Sequence, residues 1–311
     1  MPTYVLKTTP ERIEEMKNYY SRYLKKTPPY AVFQAHTSLA SITAYQSGKV
    51  VFQGKTPEQE AGQWEKGVHM PEERNPKKET HAYHPPSGLF HSPHIGSDEA
   101  GTGDYFGPIT VCALYADEEQ IRTLKEIGVK DSKHLTDDKI TVIAKRIVEM
   151  NISYRLMRLS NDRYNEWREK GWSQGKMKAL LHHQAVTKLG EDLSPIHPEG
   201  ILIDEFARPE IYKKHLRSAG KTIENNTYFM TKAESYSIPV AAASILARSL
   251  FVKEMNKLSH HFGRTIPKGA SSKVDRAAAA ILKTHGEDTL KHVVKWHFAN
   301  TAKAKKIAQE G

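Results

Sequence analysis

Asp98, Glu99, Asp204 and Glu234 are the residues of this chain best placed, by type and spacing, to do chemistry. Asp98 and Glu99 close a short strand-like run and stand directly ahead of Gly101-Thr102-Gly103. Asp204 ends Gly200-Ile201-Leu202-Ile203, the pattern of a buried strand, and Glu234 lies ahead of the small-residue helix Val240-Ala241-Ala242-Ala243-Ser244. Carboxylates crowded together repel one another unless a divalent cation or a proton neutralises them. Hard oxygen donors with no cysteine beside them favour magnesium or manganese over zinc. Two such ions roughly 3.5–4 Å apart activate a water and stabilise the leaving oxygen of a phosphodiester. The alternative, four separate helix caps or solvated charges, stays open on spacing alone.

The glycine pair narrows the chemistry. Glycines let a backbone approach something phosphate-sized with its N–H groups presented. Gly101-Thr102-Gly103 lacks the Gly-Lys-Ser/Thr ending of a nucleotide P-loop and the third glycine of a dinucleotide fingerprint. A phosphotransferase reading therefore loses its most diagnostic lysine, and a backbone cradle for one strand of nucleic acid fits better.

These residues need elements to hold them. Strand-like runs are expected at 94–98, 109–115, 152–159 and 201–204, and helical patterns at about 118–127, 136–150, 173–189, 238–259 and 274–285. Their alternation predicts a mixed-sheet α/β domain over 94–311, in which the strand ends carrying Asp98 and Asp204 share one crevice. Neighbours on a regular strand point to opposite faces, so Asp98 and Glu99 are expected to share a site by the strand ending or bending there. The single cysteine, Cys112, lies in the apolar run Ile109–Tyr115 and reads as a buried structural thiol.

Upstream, residues 1–66 read as a compact α+β unit. A strand is expected at Tyr4–Lys7, then a helix capped by Thr9 with Pro10 in its first turn and running to about Lys25. Three alternating runs, 31–36, 41–45 and 49–53, predict a small sheet, followed by a short helix from Thr56-Pro57 toward Trp64. The sheet's outer face is expected to carry Phe, Gln, Thr, Ser and Tyr, a mixture suited to a nucleic-acid groove or simply to solvent. Residues 67–93, with Pro71, Pro76, Pro85, Pro86 and Pro93 and no apolar period, read as a linker. His81, His84, His91 and His94 recur there at short intervals, but no cysteine or helix accompanies them to make a metal site.

The chain has 311 residues and a formal net charge of +10, which points toward a polyanionic partner without requiring one. No apolar run approaches the ~18–20 residues needed to cross a bilayer, and the N-terminus lacks the apolar core of a signal peptide. The expectation is a cytoplasmic monomer with no obligate protein partner and no membrane association. Seven late histidines, 182, 183, 260, 261, 285, 292 and 297, read as surface or packed residues, with a proton shuttle the alternative for any one.

Taken together, these segments resemble the type 2 ribonuclease H superfamily, most closely its bacterial ribonuclease HIII branch. The resemblance rests on Asp98-Glu99-Ala100-Gly101-Thr102-Gly103-Asp104-Tyr105-Phe106-Gly107-Pro108, on Asp131-Ser132-Lys133-His134-Leu135-Thr136, on Asp204, on Lys232-Ala233-Glu234 with the helix after it, and on Pro267-Lys268-Gly269-Ala270. Thr102 stands where ribonuclease HII has a basic residue, and Glu234 where it usually has aspartate. The resemblance implies a ribonuclease H-like catalytic domain behind a domain similar to half of the TATA-binding-protein fold. It implies hydrolysis of the RNA strand of RNA–DNA hybrids, leaving 5′-phosphate and 3′-hydroxyl ends, with Asp98, Glu99 and Asp204 ligating Mg2+ or Mn2+ and Glu234 completing the catalytic set. On that reading Gly101, Thr102 and Gly103 sense the ribose 2′-hydroxyl, Lys133 contacts phosphate, and Thr102 turns preference toward runs of ribonucleotides. A non-catalytic nucleic-acid-binding protein, or an enzyme of ribonuclease HII type incising at single embedded ribonucleotides, are the competing readings.

Overall fold

The computed structural model of the chain describes residues 2–28, 30–65, 81–129 and 135–310, which fall into two compact units, 1–79 and 80–311. The first contains β1 (Thr3–Lys7), α1 (Pro10–Tyr19), β2 (Ala31–His36), β3 (Ala40–Tyr45), β4 (Lys49–Gly54) and α2 (Pro57–Glu65). The Thr9 side chain accepts from Arg12 N at the start of α1, with Pro10 in the first turn. The helix stops at Tyr19, short of Lys25, because Tyr20 turns inward: its hydroxyl donates to Glu60 (2.9 Å) and accepts from Trp64 Nε1 (2.8 Å). Beyond it the chain runs beside β2, with Lys25 N donating to Gln34 O.

The sheet has four strands rather than three, in antiparallel order β1-β4-β3-β2, since Thr3–Lys7 pairs along the edge of β4. Phe33 and Phe52, expected on the outer face, are buried with Ile13, Met16 and Ile42. The period of two explains this: the same alternation that buries Phe33, Ile42 and Phe52 turns Gln34, Ser41 and Gln53 the other way. Gln34 Nε2 donates to Thr43 Oγ1 across that face at 3.2 Å.

In the second unit β5 (His94–Ala100), β6 (Ile109–Ala116), β7 (Tyr154–Leu159), β8 (Gly200–Asp204) and β9 (Thr227–Met230) form one sheet in the order β7-β6-β5-β8-β9. Pairings β7–β6 and β6–β5 are antiparallel, and β5–β8 and β8–β9 are parallel, so the mixed sheet expected from the sequence is present. Its helices are α3 (Glu118–Glu126), α4 (Asp137–Glu149), α5 (Asn161–Glu169), α6 (Gln174–Leu193), α7 (Pro209–Arg217), α8 (Ile238–His261), α9 (Ser272–Val293) and α10 (Ala299–Glu310). Helices α6 and α7 pack with Ile95, Val111, Ala113, Ile201 and Ile203 on one sheet face. Helices α3, α4 and α8 pack with Cys112 and Leu114 on the other.

The sequence patterns missed β9, which has only four residues, and α5, α7 and α10, which are short or largely polar. Of the segment expected to link the units, 67–80 lie outside the described residues, while 81–93 pack on the second unit. Tyr83 O accepts from Phe229 N at 2.8 Å, and Leu89 is buried with Leu202, Met230 and Val240. Its histidines diverge: His81 Nε2 meets Glu205 at 3.2 Å, His84 meets the Pro85 carbonyl, and His94 is fully buried.

Helix α8 lies unusually close to β5. Its N-cap Ser237 is hydrogen-bonded to His94 Nε2 at 2.7 Å, and a Cβ on Gly96 would stand 2.2 Å from Val240 N. Both partners there are backbone, so nothing flexible can give way. Gly96→Ala is expected to lower the unfolding free energy of the second unit by about 2 kcal/mol or more, read as a lower denaturation midpoint; an unchanged midpoint would mean that α8 is free to move off the sheet.

Candidate active site

The parallel pairing of β5 with β8 sets Ser97 opposite Ile203, so the next residues, Asp98 and Asp204, come side by side, Asp204 at the end of its strand. Strand β5 does not end at Asp98, as expected from the sequence; it continues through Ala100, pairing Glu99 with Val111. The two acids consequently leave the sheet on opposite faces. Asp98 hydrogen-bonds Ser244 of α8, and its Oδ1 also accepts from Glu99 N at 2.7 Å. Glu99 turns toward α6, where Lys178 Nζ donates to Oε1 (2.7 Å) and His182 Nε2 meets Oε2 (3.0 Å).

Asp204 Oδ1 accepts from Ala233 N at 2.8 Å and shares a hydrogen bond with Glu234. Glu234 is buried on the one-turn helix Ala233–Ser235, which Lys232 enters in a left-handed conformation (φ 58°) just before α8. Burial is the largest cause of the electrostatic strain, and the neighbouring charges add to it. Asp98 is pushed well above the usual carboxylate range by burial and then by the charges of Glu99 and Asp204. Asp204 is raised to about 7 by burial and then by Glu234. Burial pushes Glu99 up as well, but His182 and Lys178 outweigh it and hold the carboxyl below its ordinary value.

The imidazole of His182 is itself fixed. Ser97 Oγ lies 2.7 Å from Nδ1 and donates its one proton to Cys112 O, so Nδ1 donates to Ser97. The Phe206 ring stacks on His182 (5.2 Å between centroids, 24° between planes) and lies under Lys178 Nζ at 4.1 Å. Among the described residues no three His, Cys, Asp or Glu side chains are drawn into a ready-made ligand cage. The all-oxygen donor set of Asp98, Glu99 and Asp204 nevertheless fits a hard divalent ion that would draw them in.

The glycine loop sits beside these acids. Gly101 has φ +84°, and a Cβ there would lie 2.3 Å from Pro108 O; around Gly103 there is open space. The Thr102 carbonyl accepts from Gln174 Nε2 at 2.9 Å. Behind the loop Lys295, only 1% exposed, donates to the carbonyls of Asp104 and Gly107, both at 2.7 Å, and burial draws its pKa down to about 7. Gly269 N donates to Asp104 Oδ1 and Gly269 O accepts from Tyr105 N. Lys268 pairs with Asp137, whose other oxygen meets Arg248. Lys133 lies outside the described residues.

This geometry has counterparts. The sequence profile of ribonuclease HII matches residues 95–301, and that of a domain of unknown function matches residues 3–79. Ribonuclease HIII of Oceanobacillus iheyensis is 52% identical over 307 residues, covering 99% of this chain and 100% of its own length. Ribonuclease HIII of Bacillus licheniformis is 51% identical, covering 98% of each chain. The chain belongs to the ribonuclease HIII family. The crystal structure of Bst-RNase HIII in complex with Mn2+ superposes with a TM-score of 0.70 at 41% identity, covering 100% of both chains.

The structure brings Asp98, Asp204 and Glu234 together, and Glu99, though turned toward α6 by Lys178 and His182, stays close enough for its charge to act on both Asp98 and Asp204. The sequence pattern does not single out the Lys178 and His182 side chains. They stand four apart on α6, a spacing that puts both on one helix face, but nothing in the pattern says that this face meets Glu99. Lys295 gave no signal at all. Of the other late histidines, His292 pairs with Asp162 and His297 stacks on Tyr164. No helix among the described residues is long and apolar enough to cross a membrane.

Folded Asp204 holds its proton more tightly than the unfolded chain does. Its carboxyl therefore favours folding below about pH 4 and costs stability as the pH rises through about 7. Asp204→Asn is expected to stabilise the metal-free protein at pH 8 by on the order of 1–2 kcal/mol, with the gain vanishing toward pH 4. Thermal unfolding followed across that range checks it, and a gain independent of pH would contradict the charge argument.

Proposed function

We propose that this chain hydrolyses the RNA strand of RNA–DNA hybrids with a divalent cation, leaving 5′-phosphate and 3′-hydroxyl ends. The observation that carries the reading is the placing of Asp98 and Asp204 side by side on adjacent parallel strands, just past the Ser97–Ile203 pair, with Glu234 against Asp204 and Glu99 on the next residue. Asp98, Glu99 and Asp204 would hold the metal, and the Mn2+ bound by Bst-RNase HIII supports a divalent ion. Bound there, the ion lowers the pKa of the attacking water and neutralises charge on the leaving oxygen. The protein's part is positioning. Ser244 and the Glu99 amide aim Asp98, and the Ala233 amide and a hydrogen bond with Glu234 aim Asp204.

Gly101, Thr102 and Gly103 are the proposed ribose sensor, with the open space at Gly103 supporting close approach of a sugar. Lys133 is the proposed phosphate contact. The first unit, its four-stranded sheet backed by two helices, reads as half of a TATA-binding-protein fold that grips the duplex through phosphates without reading sequence. We place the activity in the cytoplasm and in a monomer.

A labelled hybrid with Mg2+ tests the core of this reading. Intact protein is expected to cut only the RNA strand, and Asp98→Asn to lower the rate by at least about 100-fold; tight binding without scission would make this a binding protein. Duplexes carrying a single ribonucleotide are expected to be cut far more slowly than runs of them, and equal rates would remove the specificity assigned to Thr102. Deleting residues 1–66 is expected to weaken hybrid binding and flatten its salt dependence. Unaltered affinity would leave the first unit without that role.

A further inference from the structure

Both carboxylate oxygens of Glu99 are held by basic side chains. Lys178 holds Oε1 and His182 holds Oε2, with side-chain exposures of 12% for Lys178, 10% for Glu99 and zero for His182. The clasp is built rather than incidental. Ser97 and Glu99 lie two apart on β5 and face the same side, and Lys178 and His182 lie one turn apart on α6. Phe206, two residues beyond Asp204, walls both side chains in. A buried ammonium at 2.7 Å from a carboxylate is costly to leave alone, because stripping one partner from such a pair strands the other charge away from water.

We propose that Lys178 is the resident counter-ion of Glu99, occupying its Oε1 in the metal-free protein and yielding that oxygen when a divalent cation binds. The proposal rests on reading Glu99 as a metal ligand. Two cations cannot share one carboxylate oxygen cheaply, so the free energy of the Lys178 contact is set against metal binding. Lys178 thus keeps the acidic cluster folded without metal and weakens its affinity for metal by the same contact. His182, pinned by Ser97 on its far side, keeps Oε2 and the rotamer of Glu99 throughout. Lys178 is on this account a positioning residue, acting on the metal through Glu99.

The test is a Mn2+ titration of the full-length chain at one fixed pH, read as the rise in Tm and its half-saturation concentration. Lys178→Met is expected to melt lower than wild type without metal and to reach half-saturation at about tenfold less Mn2+. Lys178→Arg, which keeps the charge, is expected to keep the wild-type half-point. An unchanged or higher half-point in Lys178→Met overturns the proposal while leaving Glu99 as a ligand. Absence of any Mn2+ stabilisation in wild type overturns the metal reading and this one with it. Should Lys178→Met not fold, reductive methylation of Lys178 in the wild-type chain, read by mass spectrometry, is expected to quicken several-fold at saturating Mg2+; equal rates with and without Mg2+ overturn the proposal.

Discussion

Everything in the second unit is arranged around the repulsion between carboxylates that a parallel strand pairing forces together. Once Ser97 is in register with Ile203, Asp98 and Asp204 must be neighbours, and burial leaves little water to screen them. Each acid is met in a different way. Asp98 takes a hydroxyl from Ser244 and an amide from Glu99, Asp204 takes an amide from Ala233 and a hydrogen bond with Glu234, and Glu99 takes an ammonium and an imidazole. The first two remain easy to protonate and the third does not, so the cluster is asymmetric before any ligand arrives.

That asymmetry follows from strand geometry. Because β5 stays regular through Ala100, Asp98 and Glu99 face opposite helices, and each face must be built separately. On the α8 side, close approach is secured by Gly96, by His94 against the Ser237 cap, and by the alanines of α8, which are buried without bulk. On the α6 side the contacts are polar, running from Cys112 O through Ser97 and His182 to Glu99. The two faces are thus built differently, yet the charges of Asp98, Asp204 and Glu99 still act on one another across β5 and β8.

The acids themselves were legible in the sequence, since their residue types, the apolar runs before Asp98 and Asp204, and the glycines after Glu99 are local signals. So were β2 to β8 and the mixed sheet, because their patterns repeat at period two or fill a buried run. What was not legible is which element faces which. Lys178 and His182 look like ordinary polar positions of α6, and only tertiary packing brings them to Glu99. Phe33 and Phe52 were assigned to the wrong sheet face because composition was read without the alternation that buries them. Leu89 was hidden among prolines, although burial against Leu202 and Met230 makes its segment part of the second unit.

The glycine loop shows the same limit from the other direction. Its curvature depends on Gly101 and Gly107, both at positive φ, yet what holds the curve lies at the far end of the chain. Lys295 reaches Asp104 O across 191 residues and Gly107 O across 188. An amino group suits this place better than an amide would, since it offers three donors from one atom and donates whether charged or neutral. With its pKa drawn down to about 7, the lysine can shed its charge and much of the cost of burial without losing either contact. Gly269 adds a second strap, accepting from Tyr105 and donating to Asp104, while its neighbour Lys268 ties to Asp137 at the start of α4. The loop beside the acids is therefore shaped by the turn between α8 and α9 and by the turn after α9 as much as by its own glycines. This explains why a glycine pair too weak to be diagnostic in isolation takes one defined shape in the folded chain.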